Sequence, residues 1–168
     1  MSEIELRIRF FGDPILRSKA VSIRQITDEH RFLLSRMARL MYTSSGVGLA
    51  ATQIGRNEAM FVADIGGGLY KLINPKIIRR QGAATVQEGC LSFPGVFVKV
   101  RRAKKVFLQA KDENGKSVTI EADDLLARVF QHEVDHLNGR LIVDHISILD
   151  KFKISGRLKR IGKIPVNE

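Results

Sequence analysis

Two histidines four residues apart, His132 and His136, constrain this chain more than any other feature. Residues 123–137 read as a helix capped by Asp123 and closed by Asn138-Gly139. On it Leu125, Val129, His132 and His136 fall within one narrow, otherwise apolar arc. The i, i+4 spacing brings both imidazoles to one face, a turn apart. Burying both without partners carries a heavy desolvation cost, so the fold must supply one. A metal ion suits two convergent ring nitrogens, and Glu133, at the edge of the arc, is close enough to handle a proton.

A catalytic site of this kind has three protein ligands and one open position. Metzincin-type proteases place a third histidine downstream; Gly139 stands where that pattern wants glycine, but position 142 is Ile142. A gluzincin-type peptidase needs a downstream glutamate, and the only one is Glu168 at the end of the chain. Asp144 and His145 follow the helix too closely to swing back. An upstream ligand is left, and the single cysteine, Cys90 in Glu88-Gly89-Cys90-Leu91-Ser92, is the best candidate. A thiolate ligates Zn²⁺ or Fe²⁺ strongly, and Gly89 would let backbone approach the ion. A buried, inert thiol is the competing reading of Cys90 taken alone.

Gly46-Val47-Gly48-Leu49-Ala50-Ala51 matches the dinucleotide pattern G-x-G-x-x-A. That pattern must follow a strand, and here it follows a helix, so no dinucleotide cofactor is expected. The segment suits a pliable loop beside the site, with Gln53 offering a side-chain amide as oxyanion donor.

The rest of the chain reads as α+β, with antiparallel β-sheets packed around the central metal-binding helix. An amphipathic helix is expected over 27–43, and strands near 59–64, 70–73, 76–80, 96–101, 105–111 and 117–121, with Asn114-Gly115 as a hairpin turn. Residues 1–168 are expected to form a single domain with a basic C-terminal extension from about 147, where a last helix starts near Ser147. That segment holds Lys151, Lys153, Arg157, Lys159, Arg160 and Lys163 and no acid between 151 and 163. With 28 basic against 18 acidic residues the chain carries +10, which favours polyanionic partners. No apolar run is long enough for a membrane span, and Met1-Ser2-Glu3-Ile4-Glu5-Leu6 does not read as a signal peptide. One cysteine and no leader fit a cytoplasmic location.

Three segments, Gly46–Gln53, Glu88–Ser92 and Gln131–His136, resemble in order and separation the signature motifs of peptide deformylases. The resemblance runs from Gly12-Asp13-Pro14-Ile15-Leu16-Arg17 to the basic C-terminal helix. It implies a metal-dependent hydrolase that removes the formyl group from N-formylmethionyl nascent peptides. Cys90, His132 and His136 would be the ligands of one divalent ion, Fe²⁺ natively, with Zn²⁺ or another ion also able to serve. Glu133 would activate water for attack on the formyl carbonyl, while Gln53 and the Leu91 backbone N–H stabilise the oxyanion. Substrate would be bound by Val47, Gly48, Val86, Glu88, Gly89, Leu125 and Val129, with the His132 ring completing a methionine pocket. The basic extension would dock on the ribosome near the nascent-chain exit. Two positions depart from the family pattern: Arg128, where the pocket side of the helix is usually apolar, and Phe97, where some members place a substrate-binding arginine. The rival readings are a zinc endopeptidase and a non-enzymatic basic module with a structural metal.

Overall fold

A computed structural model describes residues 5–165; Glu168 and the first four residues of the N-terminal reading lie outside it. The first helix, α1 (Asp28–Thr43), opens at Thr27, whose backbone N–H donates to His30 Nδ1 at 3.0 Å. Its stripe of Leu33, Leu34, Met37 and Met41 is buried, as the helical period requires. Strands β1 (Gly48–Ala50), β2 (Met60–Ala63) and β3 (Tyr70–Gln81) follow. Next come β4 (Ala84–Glu88), β5 (Val98–Arg102), β6 (Lys105–Lys111) and β7 (Ser117–Asp123). Helix α2 (Asp124–Leu137) then crosses the molecule, and α3 (Ile148–Ile161) closes it, with the Ser147 side chain accepting from Asp150 N–H at its start.

The strands form an antiparallel five-stranded sheet in the order β1-β2-β3-β6-β7, and a separate β4–β5 hairpin. Helix α2 packs against the larger sheet through Phe130, whose ring lies 5.7 Å from Phe61 and edge-on to Tyr70 at 5.3 Å. Gly139 ends α2 at φ +70°, where a Cβ would stand 2.4 Å from the Arg17 carbonyl oxygen. Only glycine fits there.

The α+β architecture expected from the sequence is the one observed, with three differences in detail. The two strands expected at 70–73 and 76–80 are one. Asn74 takes φ +52° and the register shifts between Ile73 and Lys76, so Asn74-Pro75 makes a bulge and not a break. The Asn74 amide secures it by bonding the Ile23 N–H and carbonyl at 2.9 and 2.8 Å. Strands β1 and β4 were not expected, since Gly48-Leu49-Ala50 reads as loop and Ala84–Glu88 lacks a clean alternation.

Candidate functional site

Three separate elements converge on one point. Helix α2 supplies His132, Glu133 and His136; the turn after β4 supplies Cys90; the short 3₁₀ turn Ala51–Ile54 supplies Gln53. Cys90 Sγ lies 3.2 Å from His136 Nε2, which lies 3.2 Å from His132 Nε2. The three ligand atoms are all within 4.8 Å of one another. A tetrahedral ion with ordinary Zn–N and Zn–S bonds holds its ligand atoms roughly 3.3–3.6 Å apart, so these residues fit a shared metal. Electrostatics agree. Burial lowers the basicity of both histidines, but the Cys90 and Glu88 side chains raise His132 well above its ordinary value. His136 is held well below, by burial and by the charge on His132.

His132 is oriented from behind. Its Nδ1–H donates to Glu88 Oε2 at 3.2 Å, leaving Nε2 turned to the cluster. The Glu88 carboxylate also accepts from Arg102 Nε at 2.6 Å and Nη2 at 3.0 Å, and from Arg128 Nη1 at 2.6 Å. Burial alone would raise its pKa, but the bonds from His132 and Arg102 outweigh it and bring the group to about 2. Arg102 continues to Asp135 (2.8 Å), which His145 Nε2 meets from the other side at 2.7 Å. Glu88 was expected to contact substrate. It borders the cavity, yet its oxygens are taken by these partners. Arg128 is not loose in the pocket either: its remaining donors bond the carbonyls of Val100 (3.0 Å) and Ala84 (2.9 Å), tying α2 to the β4–β5 hairpin. Replacing Glu88 by alanine leaves the buried Arg128 without a carboxylate partner and Arg102 with Asp135 alone, and should destabilise the fold by about 3–5 kcal/mol. Thermal denaturation of the variant checks this; an unchanged melting temperature contradicts it.

Glu133 is buried, and its Oε2 has no hydrogen-bond partner among the described residues. Burial pushes its pKa up to about 7, against the opposing pull of His132 and Arg102. A carboxyl of that kind can take and return a proton near neutrality. It lies against Gly48, where a Cβ would sit 2.2 Å from Glu133 Oε1, so Gly48 serves to leave room for this carboxylate. Gln53 is likewise fixed. Its Oε1 accepts from Ala50 N–H at 2.9 Å, and its Nε2 donates to Ser92 Oγ at 3.1 Å, with Cys90 Sγ at 3.5 Å.

These groups open onto a cavity of about 380 Å³ lined by Val47, Gly48, Gln53, Glu88, Gly89, Cys90, Leu91, Phe97, Leu125, Val129, His132 and Glu133 among others. Val86 is not among its lining residues. It lies two residues back from Glu88 along β4, on the same face of the strand. Gly89 lines the cavity, and a Cβ there would meet the Phe97 ring at 2.8 Å, so its smallness also seats Phe97 beside the site. The residues of the rival protease readings are committed elsewhere. Ile142 is buried in the core, Asp144 bonds Arg17 and Leu141 N–H, and His145 bonds Asp135.

Sequence reasoning did not single out Ser92, Arg102, Asp135 or His145 as members of this assembly. The one signal available was the Asp135 carboxylate inside the His132–His136 turn, since ligand histidines are commonly backed by carboxylates.

The comparisons with known proteins agree with this geometry. A peptide deformylase of Halothermothrix orenii is 48% identical over 143 residues, spanning 84% of this chain and 93% of the relative. The crystal structure of peptide deformylase from Thermotoga maritima superposes with a TM-score of 0.84 at 42% identity, over 86% of this chain and 99% of that one. A peptide deformylase from Legionella pneumophila gives 0.90 at 35% identity, over 97% and 98%. The model of the polypeptide deformylase family matches residues 5–152, and this chain belongs to that family.

Proposed function

We propose that this chain hydrolyses the formyl amide of N-formylmethionyl peptides, giving formate and a free amino terminus, with one divalent metal ion held by Cys90, His132 and His136. The observation that carries the reading is the sulfur of Cys90, delivered from upstream to close the His132–His136 pair beside the Glu133 carboxylate, in a member of this family. A bound ion would supply Lewis acidity and an acidified water. Glu133 takes the proton of the attacking water and delivers it to the departing amine. Gln53 Nε2 and the Leu91 N–H donate to the oxygen on which negative charge develops, each worth about 3–4 kcal/mol when well placed. The apolar side chains of Val47, Leu125 and Val129 favour a methionine side chain over a polar one, and Phe97 shapes the cavity wall in place of an arginine. Fe²⁺ is the proposed native ion on the strength of the family resemblance; a sulfur and two imidazoles suit Zn²⁺ equally.

Anaerobic turnover of formyl-Met-Ala-Ser with metal analysis of the same sample tests this. Formate release in proportion to bound metal is expected; cleavage of an internal peptide bond with the formyl group intact would favour an endopeptidase instead.

We further propose that the enzyme works in the cytoplasm, at the ribosome, through the basic face of α3. No helix among the described residues is long and apolar enough to cross a membrane. Ile154, Leu158 and Ile161 of α3 pack into the core, so deleting the segment would damage the fold. Charge reversal at exposed Arg157, Lys159 and Arg160 is the cleaner change. It should weaken ribosome pelleting roughly tenfold or more, through lost phosphate contacts, and leave turnover of a free formyl-peptide unchanged. Undiminished pelleting refutes the docking role.

A further inference from the structure

We propose that a second cavity, bordered by Arg102, binds a small phosphate-class anion. It measures about 310 Å³ and is lined by Arg80, Arg101, Arg102, Arg140, Asp135 and His145, with Gln131 and a few small or aliphatic side chains. Four arginines therefore border one concavity, contributed by the end of β3, by β5 and by the segment after α2, with the Arg102 guanidinium turned to Glu88 and Asp135.

Their charges are not balanced locally. Arg102 is matched by Glu88 and Asp135. Asp135, the only carboxylate among the described residues that line the cavity, is already engaged by Arg102 and His145. The side chains of Arg80, Arg101 and Arg140 have no ion-pair or hydrogen-bond partner among the described residues. Three like charges around one recess repel each other, and an anion relieves that repulsion. Guanidinium forks match the oxygens of a phosphate in pairs, which makes an oxyanion the fitting ligand class. The size of the recess suits phosphate or pyrophosphate with some water, since one water takes roughly 30 Å³. No Phe or Tyr lines the cavity to stack a base, which speaks against single-stranded nucleic acid as its occupant. The basic face of α3 is separate, because none of its residues contributes to this lining.

Calorimetric titration of the metal-loaded protein with inorganic phosphate and with pyrophosphate, at low ionic strength, tests the site. Three proteins are compared: the unaltered chain, Arg80→Gln with Arg140→Gln, and Lys159→Gln with Arg160→Gln on α3. All four altered positions are exposed, so the fold should be kept, and melting temperatures verify it. Saturable one-to-one binding is expected, weakened roughly tenfold or more by the cavity pair and unchanged by the α3 pair. Absence of saturable binding overturns the proposal. So does binding that the cavity pair leaves intact, which would put the anion at the metal or elsewhere. Loss of equal size in the α3 pair would mark general charge attraction and overturn it too. RNA binding that depends on Arg80 and Arg140, without phosphate binding, would replace the small anion by nucleic acid.

Discussion

Replacing Glu133 by glutamine is expected to lower kcat/KM for a formyl-Met peptide by roughly 10²–10⁴, the usual contribution of general acid–base catalysis, with a full equivalent of metal still bound. The two halves of this prediction have separate physical origins. Activity falls because an amide cannot accept the proton of the attacking water. Metal is kept because Glu133 contributes no atom to the Cys90, His132 and His136 cluster. Stability should hold or improve, since glutamine has nearly the same shape and the wild-type carboxylate is buried with Oε2 unpartnered. Parallel kinetics and metal analysis decide the matter. Loss of metal together with activity would make Glu133 a support for the site and not its proton carrier.

Replacing Cys90 by alanine should have the opposite profile, abolishing activity by removing the metal. Four ligands to a bound zinc share about 10–16 kcal/mol, so deleting a thiolate should weaken binding by roughly 10²-fold or more. Two histidines a turn apart cannot hold the ion as well without the third atom. Metal content after dialysis against a chelator reads this directly. Full retention of metal in the alanine variant refutes the assignment of Cys90. Little else should change, because the cysteine side chain is only partly buried and packs at the edge of the core formed by Leu16, Phe93, Val96 and Leu141.

The candidate site was legible in the sequence to the extent that it lies within single elements. The spacing of His132 and His136, the apolar arc around them and the Asp123 cap specify one helix, and α2 runs from Asp124 to Leu137. The stripe of α1 and the strands β6 and β7 follow their periods equally well, and β2 is legible as a short apolar run buried on both faces. Strand β4 escaped notice because Ala84-Thr85-Val86-Gln87-Glu88 is short, with one large apolar residue and a polar end, and its pairing with β5 supplies what its own sequence lacks. Arg128 shows the same limit. As a letter in a helix it looks out of place on the pocket side, yet in the fold it pairs with Glu88, 40 residues away, and with two hairpin carbonyls.

The sequence by itself determined the chemistry: one helix with two imidazoles and a carboxylate, one thiol, and three motifs that resemble a single enzyme family. Such features depend on local spacing, which the backbone geometry of a helix or turn converts directly into position. Only the tertiary structure decided what surrounds that chemistry. It assigned Glu88 to His132, Arg102 and Arg128, gave the space at Gly89 to Phe97, and gathered four arginines around a second recess. The Glu88 assembly depends on how the β4–β5 hairpin docks against α2, a contact between segments dozens of residues apart. No local periodicity records it.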